Sequence, residues 1–118
     1  MRYLMMVKAT ADYEAGAQAS NSLQALMGDY VGKSIEQGIF IDGAGLQPTR
    51  AGSRMHLRDG QISVTDGPFA LTEGLVSGFA IVEVADEAAA RQVGREFLEV
   101  HIAGGVADIE IEIRPYEA

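Results

Sequence analysis

Residues 53–66 read Ser53-Arg54-Met55-His56-Leu57-Arg58-Asp59-Gly60-Gln61-Ile62-Ser63-Val64-Thr65-Asp66. Two alternating runs flank Asp59-Gly60, a dipeptide that tolerates the positive φ angles of a two-residue hairpin turn. Register about that turn pairs Arg58 with Gln61, Leu57 with Ile62, His56 with Ser63, Met55 with Val64 and Arg54 with Thr65. One hairpin face is then Met55, Leu57, Ile62 and Val64. The other carries Arg54, His56 and Arg58 beside Gln61, Ser63 and Thr65. The position of this hairpin decides the topology, because a strand–helix–strand pattern lies on each side of it.

On the N-terminal side, residues 2–8 are a short apolar run ending in basic residues, suited to a strand buried on both faces. Residues 9–22, rich in small and polar side chains, read as a loop leading into a helix. Leu23, Leu26, Met27, Tyr30, Val31 and Ile35 recur at helical spacing, and Gly38 supplies a stop. Ile39-Phe40-Ile41 is a second short strand, broken by Asp42-Gly43-Ala44-Gly45. Beyond the hairpin, a loop at Asp66-Gly67-Pro68-Phe69 leads to an apolar strand at 76–84. Asp86 caps a second helix with Ala90, Val93 and Phe97 as its buried stripe. Ile109 to Arg114 alternates strictly and Pro115 ends it.

The order β–α–β–hairpin–β–α–β is that of an α+β, ferredoxin-like split βαβ fold with an inserted hairpin. Both helices cover the same sheet face. The chain is too short for a third layer, so the apolar strands 2–8 and 76–84 predict a homodimer joined through sheet faces.

Composition sets limits on function. At 118 residues the chain is expected to be one domain over 1–118, and 47% hydrophobic with 22% charged residues is ordinary globular usage. Zero cysteines exclude disulfides, thiolate nucleophiles and cysteine-held metals. A formal charge of −8 argues against a general nucleic-acid binder, which needs a basic surface. That charge is uneven: residues 1–72 hold 6 basic and 7 acidic side chains, residues 73–118 hold 3 and 10. No apolar run reaches the length of a signal-peptide core or membrane span, which gives the expectation of a cytoplasmic microbial protein that touches no membrane. The Gly43–Gly45 segment lacks a phosphate-loop lysine or a dinucleotide fingerprint, so no nucleotide cofactor is expected.

Thr65-Asp66-Gly67-Pro68-Phe69-Ala70 resembles the signature of the DGPF-domain proteins, a branch of the YCII-related family. Gly43-Ala44-Gly45-Leu46-Gln47-Pro48, the closing strand Glu110 to Pro115 and the opening strand Tyr3 to Thr10 also resemble that family, in its order. The resemblance covers nearly the whole chain. It implies a ferredoxin-like fold paired into a dimeric α+β barrel with a cleft between sheets. It also implies bacterial origin and, for some genes of the branch, proximity to extracytoplasmic-function sigma factors. Two departures stand out. The family commonly continues the signature as Ala-Glu-Thr-Lys-Glu, whereas this chain has Ala70-Leu71-Thr72-Glu73-Gly74. Better-studied relatives are thought to use a His–Asp pair with the His near the first helix, and residues 14–37 contain no His.

Asp66 has two readings, a general base beside a cleft or an Asx-turn residue satisfying loop amides. Gly67 and Pro68 set a sharp loop that aims Phe69 into a core or pocket. Arg54, His56 and Arg58 share a face, either a cationic row for a carboxylate or phosphate ligand with His56 as proton carrier, or a solvated hairpin face. Glu110 and Glu112 share a face opposite the isoleucines, where they would share a proton, pair with Arg54 or Arg58 across a dimer, or be solvated. No metal site is expected from two glutamates alone. Glu73 is a candidate stand-in for the missing acid. His101 reads as a helix-end side chain bound to carbonyls, and Tyr3, Tyr13 and Tyr30 as packing or hydrogen-bonding groups.

The functional expectation is a small-molecule-binding or regulatory homodimer with its cleft between subunits, taking a small acidic metabolite and no nucleic acid. One alternative is a cofactor-independent enzyme (isomerase, lyase or hydrolase) using Asp66 and His56 as acid–base groups. Another is an interaction module linked to a sigma factor.

Overall fold

The computed structural model describes residues 1–117. In chain order the elements are β1 (Arg2–Lys8), α1 (Ala11–Glu14), α2 (Asn21–Glu36), β2 (Phe40–Gly45), β3 (Ser53–Arg58), β4 (Gln61–Asp66), β5 (Val76–Glu83), α3 (Glu87–Ala103) and β6 (Ile111–Pro115). Short 3-10 turns stand at Thr49–Ala51 and Leu71–Glu73. Each long helix starts where a side chain accepts an otherwise orphaned amide: Ser20 from Leu23 N, and Asp86 from Ala89 N.

Four strands make one antiparallel sheet in the order β2-β5-β1-β6. With α2 and α3 as the crossovers, this is the ferredoxin-like arrangement. Tyr3 and Met5 of β1, Val82 of β5, and Ala90 and Val93 of α3 form the buried core. Val82 is only 2% exposed, and full burial of such a side chain contributes about 1.5–2 kcal/mol. The register places the isoleucines of β6 on the same face, since Ile113 pairs with Met5 and Ile111 with Val7. Their Cδ1 atoms reach Gly94 of α3, where an added Cβ would meet them at 3.0 and 3.1 Å.

The opposite sheet face has no second layer among the described residues. Leu4 pairs with Ile81 and Met6 with Phe79 there, all half-buried by one another. Ion pairs border this patch: Arg2 Nε to Glu83 at 3.9 Å and Lys8 Nζ to Glu112 at 3.4 Å. No helix among the described residues is long and apolar enough to cross a membrane.

The hairpin is a separate two-stranded sheet, β3 with β4, and its pairing matches the expected register at every rung from Arg54–Thr65 to Arg58–Gln61. Asp59 at φ 51° and Gly60 at φ 75° make the turn, both in the left-handed region. Every residue of both strands is exposed, including the apolar row.

Four sequence expectations need correction. The 9–22 segment contains a helical turn, α1, capped by the Thr10 side chain accepting from Tyr13 N. Asp42–Gly45 continues β2 rather than breaking it. A bulge between Phe40 and Asp42 absorbs the irregularity, and Gly43 sits where a Cβ would come 2.7 Å from Phe79 O. A residue without a side chain lets the edge strand approach its neighbour there. The last strand starts at Ile111, not Ile109. Ile35 ends the expected stripe of α2 but is 55% exposed, because the buried face of the helix ends on Ser34 instead, which is 6% exposed.

Candidate functional site

A cleft of about 1140 Å³ opens between the helices and the sheet. Its walls include Met27 and Tyr30 from α2, Phe97 and His101 from α3, and Val7 and Ser77 from the sheet. Helical spacing puts Leu23, Met27 and Tyr30 on one side of α2, and the same rule puts Val93, Phe97 and His101 on one side of α3. The polar members are held. Tyr30 donates its hydroxyl hydrogen toward Val93 O at 3.1 Å, with Glu96 Oε1 at 3.2 Å. Burial, and then the Glu96 carboxylate, push the Tyr30 hydroxyl up to about 12, so it stays a protonated donor at neutral pH. His101 has Nδ1 2.9 Å from Phe97 O, and its ring lies 4.4 Å from that of Phe97. The exposed rim includes Asp12, Asp108 and Glu110.

A second feature joins the hairpin to the body. The Glu14 carboxylate accepts hydrogen bonds from Thr49 N at 2.7 Å and from the Thr49 hydroxyl. Those bonds, the hydroxyl's first, hold the Glu14 carboxyl below its ordinary value of 4.5. Thr49 Oγ1 in turn accepts from Phe69 N at 2.9 Å, and Gly67 N donates to Gly52 O at 2.9 Å. A Cβ on Gly67 would stand 1.8 Å from Thr49 O, so only glycine fits. The Gly67–Pro68 peptide is cis. Phe69 is half-buried beneath Arg54, whose guanidinium carbon lies 3.9 Å from the ring centroid. Arg54 also forms an ion pair with Glu73. Arg54, Phe69 and Thr49 line a smaller hollow of about 610 Å³ with Pro48 and Leu75.

The residues singled out from sequence fall in three places. Asp66 ends β4 opposite Ser53, which puts it on the Met55–Leu57 side of the hairpin. His56 pairs with Ser63 on the other side. Within one chain Asp66 and His56 therefore point away from each other and form no acid–base pair. The loop amides that an Asx-turn would satisfy are bound instead by Thr49 and Gly52. Arg54 is drawn to Glu73, leaving His56 and Arg58 exposed along the hairpin. Gly67, Pro68 and Phe69 do shape the joint, with Phe69 lining the smaller hollow. Glu112 lies on the outer sheet face between Lys8 and Arg114, each at 3.4 Å. Glu110 precedes β6, and its carbonyl accepts from Lys8 N at 2.8 Å.

The Glu14–Thr49 contact has no local signal, because nothing in a single sequence links residues 35 positions apart. Tyr30, Met27 and Phe97 read as packing residues from sequence, and their helical stripes are the available signal that two apolar faces meet across a cleft.

The model of the YCII-related domain matches residues 1–112, and the chain belongs to that family. No curated protein matches the chain.

Proposed function

We infer that this YCII-related chain is a small-molecule-binding protein whose ligand occupies the cleft between the helices and the sheet. The observation that carries this reading is the cleft itself, about 1140 Å³ with Met27 and Phe97 on opposite walls and the fixed hydroxyl of Tyr30 beside them. Ligand sites are typically concave and mostly apolar with a few positioned polar groups. The rim carboxylates of Asp12, Asp108 and Glu110 favour a neutral or basic ligand. An acidic metabolite, suggested by the arginine row, fits this cleft less well.

Binding rather than catalysis is supported by the separation of Asp66 and His56 on opposite hairpin faces. An acid–base reaction by that pair needs groups from two chains. The working unit in this reading is a homodimer that covers Leu4, Met6, Phe79 and Ile81 on the outer sheet face, and a ligand-dependent regulatory role fits the same architecture.

The test is thermal unfolding with matched apolar probes, an aryl-alkyl amine and alcohol against the corresponding carboxylate. The amine and alcohol are expected to raise Tm more than the carboxylate, because a ligand that binds only the folded state stabilises it. Met27→Trp fills the cleft and is expected to abolish the shift. No stabilisation by any probe, or an unchanged shift in Met27→Trp, contradicts the proposal.

A further inference from the structure

The hairpin poses a separate physical problem. Met55, Leu57, Ile62 and Val64 are 59–71% exposed and lie side by side on one face. Both strands pair only with each other among the described residues, and none of those residues covers this row. The molecule measures 46 × 37 × 20 Å with a radius of gyration of 15.8 Å, against about 13.5 Å for a compact domain of this length. Its accessible surface is 8036 Å², about 1,800 Å² more than a compact monomer of its 12.6 kDa mass exposes. A standard protein interface takes only about 800 Å² from each partner. The surplus is thus the size of one side of a generous interface.

Charge narrows the occupant. The hairpin's two arginines, Arg54 and Arg58, are balanced by Asp59 and Asp66, so the −8 of the chain lies wholly outside residues 53–66. Two copies of this acidic chain repel each other over most of their surface. The hairpin is neutral overall, and its Met55–Leu57–Ile62–Val64 row is an apolar strip with only Asp66 at its end, so it adds little to this repulsion. The complementary surface on a second copy is the outer sheet face, where no described residue forms a layer over Leu4, Met6, Phe79 and Ile81.

We propose that the β3–β4 hairpin is a dimerisation arm whose Met55–Leu57–Ile62–Val64 row lies against the outer sheet face of a second copy of this chain. The exchange is reciprocal, each copy giving an arm and receiving one, as a two-fold interface requires. The proposal deepens the dimer of the preceding subsection and rests on it. It assigns the contact to particular side chains.

The native chain has no cysteine, so a single introduced thiol reports one position. In Leu57→Cys, thiol labelling is expected to slow about tenfold as protein concentration rises through the dimerisation range, following the dimer population. Adding Ile62→Asp is expected to restore fast labelling and to convert the assembly to a 12.6 kDa monomer by light scattering. Because the arm makes no part of the core, circular dichroism is expected to stay that of a folded chain. Ile81→Lys, on the sheet face, is expected to release the arm thiol as well. A dimer that persists in the Ile62→Asp variant with a fast thiol overturns the arm and leaves a sheet-face dimer standing. A protected thiol in Ile81→Lys overturns the docking site. A wild-type chain that is monomeric at high concentration overturns both the arm and the dimer.

Discussion

Strands β6 and β3 carry nearly the same pattern, Ile111-Glu112-Ile113-Arg114 against Met55-His56-Leu57-Arg58. In β6 the apolar residues pack on Gly94 of α3 and are half-buried. In β3 they stand about 70% exposed. Alternation fixes which side chains share a face and how a hairpin registers, but it does not supply the layer that covers the face. For β6 that layer arrives with its own crossover helix. The hairpin is inserted between the two crossover units and brings no helix of its own. Body and arm are therefore equally regular as β-structure and very different in what stabilises them.

The joint between the two regions gives the largest expected effect. Gly67→Val would drive a side chain into the Thr49 carbonyl, a backbone atom that cannot swing aside. A loss of about 3 kcal/mol, at the upper end for overpacking, is expected in urea unfolding. The cause is close approach and not a left-handed φ, which Gly67 does not have. Wild-type stability in this variant would break the picture of a rigid joint.

Body and arm can then be compared directly. Val82→Ala removes buried apolar contacts in the core that borders the cleft and is expected to cost about 2 kcal/mol at any protein concentration. Leu57→Ala is expected to cost less than about 0.5 kcal/mol in dilute solution, as for other exposed positions. Its cost should grow with concentration as the arm becomes covered. Equal and concentration-independent losses would erase the distinction.

The smallest effect concerns the Glu14–Thr49 tie. The folded-state value of Glu14 is depressed, so its contribution is present above 4.5 and is lost as pH falls through the lower folded value. Thr49→Val removes the hydroxyl that contributes most to the depression. The Glu14 titration, followed by carboxyl NMR shifts, is expected to move up toward 4.5 in that variant. An unmoved titration would mean the tie does not form in solution.

Much of the fold was legible because its determinants are local. The Asp59-Gly60 turn, the Asp86 cap and the period of Ile111 and Ile113 each act over a few residues. Phe40–Gly45 is not legible as one strand because Gly43 looks like a breaker in isolation and becomes a requirement only beside the Phe79 carbonyl. The candidate site was less legible for the same reason. Its walls come from α2, α3 and the sheet, and the joint depends on Glu14 meeting Thr49. Side chains chosen for their chemistry, Asp66 and His56, were separated by hairpin register. Met27, Tyr30 and Phe97, whose spacing reads as packing, line the cleft between the helices and the sheet.

The most direct test of the account is a crystal structure of the chain with the amine or alcohol probe that raises Tm most. Ligand density between α2, α3 and the sheet, in contact with Met27 and Phe97, is the predicted result. Density confined to the Arg54–Phe69 hollow or the hairpin, with the helix–sheet cleft empty, would contradict it.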